Sequence, residues 1–227
     1  MVLIFFKLIL TFQHFDYVNA KILLILFLVF KMSKDKIATG ISLILSAPIY
    51  AFLLLVIIIC NEQSAFANKI IDLIIGTLFL SVFPILPILY SAYKGQTDIF
   101  VQEQEKRPRF FMAAILCYLI GFFIFYLLKN TILALFLLCY ATVTTAIMIT
   151  TKITKVSVHT AGVAGPTTFM VMMFGIQYYL LYLLLLPIAW ARIYLKAHNI
   201  SQLILGVIIS VAVTYLTIML MQFLGLV

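Results

Sequence analysis

Two histidines and two arginines stand near the ends of apolar runs in this chain, in an order suited to chemistry on an anion. Arg107 precedes Pro108 near the end of the polar stretch from Asp98 to Arg109. Lys155, Ser157 and His159 follow at alternate positions, with Ala161 and Gly162 just beyond. Five residues separate Arg192 from His198, and Gln202 lies four residues after that histidine. Guanidinium groups are planar forks that match phosphate oxygens, and a lysine adds a compact charge. Ser157 and the backbone N–H groups of a helix starting at His159 would complete an anion cradle. Taken singly, each residue has a plainer reading. Arg and Lys at helix ends normally reach for headgroups. A histidine at a helix boundary is usually solvated, and Gly162 with Gly165 reads as close helix packing. The combination and its order carry the argument.

The elements that must position these residues are membrane spans. The chain has 227 residues, 66% of them hydrophobic and 10% charged, with a mean hydropathy of +1.24. A soluble domain is typically about 45–50% apolar and about 25% charged. One aqueous core cannot hide this much apolar surface, whereas lipid accepts it. Secreted, disordered, fibrous and nucleic-acid-binding proteins are excluded. The expectation is an all-α polytopic transmembrane bundle of about six to seven spans, each of roughly 20 residues.

The first span is expected over Ile37–Cys60. The second runs over Ile70–Tyr90, with Pro84 and Pro87 predicted to kink it. Phe110–Leu128 and Thr131–Thr150 form the third and fourth, joined by a tight turn at Lys129-Asn130. The stretch from His159 to Arg192 would be about 50 Å long as one helix. A break at Gly175-Ile176-Gln177 divides it into His159–Phe174 and Tyr178–Ala191, with both outer ends on one face. Ser201–Leu224 is the last span. Residues 32–227 are thus one transmembrane domain. Residues 1–31 read as an apolar extension upstream of it, with an interfacial or tilted helix as the alternative, because Val2–Phe12 and Ile22–Phe30 are each too short to cross. No small-residue cleavage site marks a signal peptide there. Cys60, Cys117 and Cys139 are odd in number and read as packed hydrophobes.

The order Arg-Pro, then Ser-x-His, then Arg and His with five residues between, resembles the type 2 phosphatidic acid phosphatase superfamily, which also includes the vanadium haloperoxidases. Its motifs are Lys, six residues, Arg-Pro; Pro-Ser-Gly-His; and Ser-Arg, five residues, His, three residues, Asp. Arg107-Pro108 matches the end of the first, Ser157 and His159 the second, Arg192 and His198 the third. The third is the most specific, and the likeness covers Asp98 to Gly206. The form Lys155-x-Ser157-x-His159-x-Ala161-Gly162 also resembles a subgroup of prokaryotic membrane members. Departures are clear. Phe100 stands at the motif lysine, Val156 and Val158 at the motif Pro and Gly, Ala191 at the serine, and Gln202 at the aspartate. Lys106 or Arg109 could supply the missing lysine's charge from another geometry.

The resemblance implies a membrane phosphatase acting on a lipid phosphate or polyprenyl (di)phosphate presented from the bilayer. By the same resemblance, His198 attacks phosphorus to form a phosphohistidine. His159 protonates the leaving oxygen and then helps activate water. Arg107, Lys155, Ser157 and Arg192 bind the phosphate. Gln202, on the same helical face as His198, can accept its ring N–H and fix the tautomer. No metal or other cofactor is expected, and hydropathy excludes a soluble haloperoxidase. Two rival readings are a relative whose site has decayed or only binds, and a small transporter. For the latter, Asp72 is the one carboxylate near a span, and it reads as an interfacial residue.

The formal charge is +8. Lys31, Lys34, Lys36, Lys94, Lys106, Arg107, Arg109, Lys152, Lys155, Arg192 and Lys196 fall on the motif face, against Lys69 and Lys129 on the other. The positive-inside rule then places the motif face in the cytoplasm.

Overall fold

The computed structural model describes residues 33–225, apart from residues 64 and 102. The readings made on residues 1–31 lie outside them. The chain divides into two units, between Ile37 and Ala38. The second carries the bundle and the site.

In chain order the helices are α1 (Lys34–Ile44), α2 (Ala47–Asn61), α3 (Phe66–Thr77), α4 (Phe83–Tyr93), α5 (Arg107–Leu127), α6 (Thr131–Thr151), α7 (Val158–Phe174), α8 (Leu185–Tyr194) and α9 (Ile200–Phe223). A π-helical turn over Leu78–Val82 joins α3 to α4, and 3₁₀ segments over Gln104–Lys106 and Ile176–Leu184 lead into α5 and α8. No strand occurs among the described residues. Among the described residues, five continuous helical segments are long and apolar enough to cross a membrane, and the bent pair α1–α2 makes a sixth. The fold is an all-α polytopic bundle, and the protein is a multi-pass membrane protein. Rows such as Leu116, Ile120, Phe123 and Leu127 on α5 are exposed, which suits lipid and not water.

The expected first span is broken. α1 and α2 meet at Leu45-Ser46 with a bend of 51°. Pro48 explains it: proline has no N–H for the carbonyl four residues back, and its ring clashes there. That carbonyl belongs to Ile44, where α1 stops. The second span runs unbroken from Phe66 to Tyr93, longer than expected. Pro84 is accommodated by the π turn, while Pro87 stands inside α4. The Phe83 N–H bonds the Leu78 carbonyl five residues back, which inserts one extra residue just ahead of Pro84.

The ambiguous stretch is a hairpin. α7 ends at Gly175, whose φ of +110° is open to glycine and strained for other residues. The chain then returns as the 3₁₀ segment and α8. At 17 residues, α7 is at the short end of the range for a span. It is the central helix, packed against α2, α6, α8 and α9. α9 approaches it closely at Gly206, where a Cβ would come within 2.6 Å of the Ser157 carbonyl oxygen. This contact sets the loop before α7 against the start of α9, which brings the second and third motif regions together.

Candidate active site

The site is built from three helix-to-helix connections at one end of the bundle. The third is the most tightly determined. α8 ends in a Schellman motif: the Lys196 N–H bonds the Ile193 carbonyl at 2.9 Å and the Ala197 N–H bonds the Arg192 carbonyl at 3.0 Å. Lys196 takes the left-handed conformation this stop requires, with φ +52°. α9 then begins with a capping box. Asn199 Oδ1 accepts the Gln202 N–H at 3.0 Å, and Gln202 Oε1 accepts the Asn199 N–H at 3.4 Å. His198 is held between a fixed stop and a fixed start.

This cap also settles the imidazole. Gln202 Oε1 lies 3.0 Å from His198 Nδ1. Because the same oxygen accepts a backbone N–H, it is the carbonyl end of the amide, so Nδ1 must donate. The lone pair is left on Nε2. His198 is buried, and its pKa falls from 6.5 to about 4. Burial is the main cause. The Gln202 bond opposes it, and Arg107, Arg192 and Lys155 push the same way as burial.

Arg192, on the last turn of α8, is 2% exposed. Its Nε has no hydrogen-bond partner. Its guanidinium sits over the Phe100 ring, 5.0 Å from the centroid. Arg107 opens α5 and is also buried, but it is committed differently. Nε donates to the Val101 carbonyl at 2.9 Å and Nη1 to the Val156 carbonyl at 3.0 Å. It therefore ties the loop after α4 to the loop before α7. Val101 accepts this with φ +47°.

His159, in the first turn of α7, lies against the Ser42 backbone. Its Nε2 is buried and has no partner. The Phe100 ring lies 5.6 Å from the imidazole of His159.

Arg107, His159, Arg192, His198 and Phe100 line one cavity of about 200 Å³. Its remaining walls are almost all apolar and reach Tyr118, Phe136 and Phe169. Tyr118 is eleven residues past Arg107 on α5, so the cavity extends about 16 Å into the bundle. The arrangement is a cationic head joined to an apolar limb.

Four of the seven expected site residues therefore meet at the cavity. Three do not line it. Ser157 is fully buried as the N-cap of α7, accepting the Thr160 N–H at 3.4 Å, and its own N–H bonds the Gln202 carbonyl at 3.2 Å. Gln202 reaches the site only through His198. Lys155 stands beside it, half-buried; burial first, then Arg107 and Arg192, lower its pKa. Of the two substitutes for the motif lysine, Lys106 bonds the Gln96 carbonyl and Glu103, and Arg109 lies over Phe110. Phe100 itself holds the central place. Its motif position pointed there, but an apolar side chain gave no sign of binding a cation. Asp72 is buried among the residues at the loop end of the bundle. Asn130 Nδ2 bonds its Oδ2 at 3.0 Å and Glu62 Oε1 at 3.2 Å, at the other end of α5 from Arg107. No protein-family model matches the chain, and neither does any curated protein or solved structure.

The His198 environment has a pH consequence. If His198 Nε2 is the reacting atom, the acidic limb of kcat/KM reports its free-enzyme pKa and falls near pH 4 rather than near 6.5. Gln202→Asp adds a negative charge against the imidazole and moves that limb upward. Superimposable profiles for the two proteins would break the link between Gln202 and the reacting group. Stability follows the same linkage. Below pH 6.5 the unfolded histidine binds a proton that the folded one refuses, so stability falls as pH drops from 6.5 to about 4, then levels.

Proposed function

We propose that the protein is a membrane phosphatase of the type 2 phosphatidic acid phosphatase kind, hydrolysing a lipid phosphate or polyprenyl (di)phosphate. One observation carries this reading. A buried guanidinium with an unpaired Nε and two imidazoles with free Nε2 atoms converge on the head of a cavity whose other walls are apolar. An anion with a long apolar tail satisfies both parts.

In this reading Arg192 and Arg107 neutralise the equatorial oxygens, with Lys155 adding charge from the rim. A monoanionic head group brings one proton, which His159 Nε2 accepts. His198 Nε2 attacks phosphorus, the bond from phosphorus to the leaving oxygen breaks with its electrons on that oxygen, and His159 returns the proton there. Water then attacks the phosphohistidine while His159 takes its proton. The P–N bond breaks, its electrons return to His198, and His159 passes its proton to the departing phosphate. Gln202 fixes the tautomer that makes Nε2 the nucleophile. The charge asymmetry of the loops supports a cytoplasmic site, and the likeness of the Lys155–Gly162 segment to prokaryotic membrane members suggests the plasma membrane of a prokaryote.

The test is phosphate release by the purified protein from phosphatidate, phosphatidylglycerophosphate and polyprenyl diphosphate, with saturable turnover expected on at least one. A second reading, a lipid-phosphate binder without turnover, is favoured by Phe100 lying over Arg192 and against His159. Saturable binding of these lipids with no phosphate release would decide for it.

A further inference from the structure

The apolar limb of the cavity is not wholly apolar. Of the hydroxyl-bearing residues that line it, Tyr140 and Thr214 hold theirs buried and without a partner, at Oη and Oγ1. Both residues are more than nine-tenths buried, at 8% and 1% exposure. Their neighbours show that this is not the habit of the bundle. Tyr50 bonds Thr167 at 2.8 Å, and Tyr182 bonds Thr168 at 2.7 Å. On the helix of Thr214, Ser210 bonds the Val207 carbonyl and Thr217 bonds both the Val213 carbonyl and Thr142. The other unpaired buried hydroxyls, Ser42, Thr97 and Thr151, belong to the head end and do not line the cavity. Burying a hydroxyl without a partner is unfavourable, and in a low-dielectric site the loss is larger.

We propose that Tyr140 and Thr214 form a second polar subsite, which hydrogen-bonds an oxygen function (a hydroxyl, ether or carbonyl) carried partway along the ligand's apolar chain. The inference rests on the proposed head-group site for the ligand's other end. The two hydroxyls lie at different depths. Thr214 Oγ1 is 3.2 Å from where a Cβ on Gly165 would stand, and Gly165 is six residues, about 9 Å, beyond His159 on α7. The Tyr140 ring packs 5.4 Å from the ring of Tyr118, about 16 Å along α5 from Arg107. A chain entering from the head passes Thr214 first and Tyr140 second. A plain hydrocarbon leaves both unpaired, so the site selects against it.

The experiment measures binding of dodecyl phosphate and of isosteric analogues with one ether oxygen at successive chain positions, to the full chain in nanodiscs. Tyr140→Phe and Thr214→Val remove one hydroxyl each at nearly constant shape. Variant-to-wild-type ratios cancel partitioning into the bilayer. Wild type should prefer at least one oxygen-bearing isomer over dodecyl phosphate by about threefold to tenfold. Thr214→Val should erase a preference for oxygen nearer the phosphate, and Tyr140→Phe one further down, with dodecyl phosphate affinity unchanged in both. Equal or weaker binding of every oxygen-bearing isomer overturns the subsite and leaves the head-group reading standing. A preference that survives both substitutions overturns it as well, because the hydroxyls then serve water alone. Failure of dodecyl phosphate and all analogues to bind overturns both.

Discussion

His198→Ala is expected to abolish phosphate release, with kcat falling by at least about 10³-fold, and to leave lipid-phosphate binding nearly intact. The split follows from the division of labour at the cavity head. Binding is assigned to Arg192 and Arg107, whose charges the substitution does not touch. Bond making is assigned to one nitrogen, His198 Nε2, left with its lone pair because Nδ1 donates to Gln202 at 3.0 Å. His159 cannot stand in, since it is needed to carry the proton between leaving oxygen and water. Rapid quench with labelled substrate checks the same point. Wild type should accumulate an acid-labile, alkali-stable phosphoprotein, and His198→Ala should not. Turnover at the wild-type rate in His198→Ala would refute the nucleophile.

How much of this was legible in the sequence depends on which force sets each feature. Span number and order follow from hydropathy, which lipid enforces over whole helices. The hairpin at Gly175 was readable because an unbroken helix would have been too long, and the turn at Lys129-Asn130 because a polar pair interrupts an apolar run. The break at Leu45-Ser46 was missed because hydropathy does not register Pro48, whose effect falls on the carbonyl of Ile44. The π turn ahead of Pro84 was hidden for a similar reason: it is a hydrogen-bond shift with no compositional mark. At the site, the spacing from Arg192 to His198 was informative because a Schellman stop and a capping box leave little freedom between them. Ser157 and Gln202 were harder, because one polar side chain can cap a helix and face a ligand, and sequence does not say which. Asp72 needed its partner, Asn130, which is 58 positions away.

Arg192 and Arg107 look equivalent in sequence, yet substituting lysine for each should separate activity from stability. Arg192→Lys is expected to lower kcat/KM by about 10²–10³-fold, the scale of losing a preorganised donor at developing charge. Its guanidinium is fully buried, held by the Phe100 ring at 5.0 Å, and keeps an unpaired Nε. Among the described residues it holds no carbonyl that the fold would miss. A lysine ammonium cannot present the fork, and so deep a point charge is costly unless an anion pairs with it. The melting temperature should therefore fall, but by less than in Arg107→Lys, because no carbonyl loses its donor. Arg107→Lys is expected to do the reverse. Two of its nitrogens satisfy the carbonyls of Val101 and Val156, which belong to different loops. A single ammonium cannot span both. Hydrogen bonds to charged groups are worth about 1.5–3 kcal/mol each, and losing one leaves a buried carbonyl unpaired as well. A drop of roughly 2–4 kcal/mol in unfolding free energy should follow. Activity should fall less than in Arg192→Lys, because lysine keeps the charge that Arg107 lends the anion and the remaining loss comes from movement of the loop carrying Phe100. Thermal denaturation and kcat/KM measured together on the two variants test the contrast. A stable but inactive Arg107→Lys beside a fully active Arg192→Lys would exchange their roles, and would move the anion from the α8 side of the cavity to the start of α5.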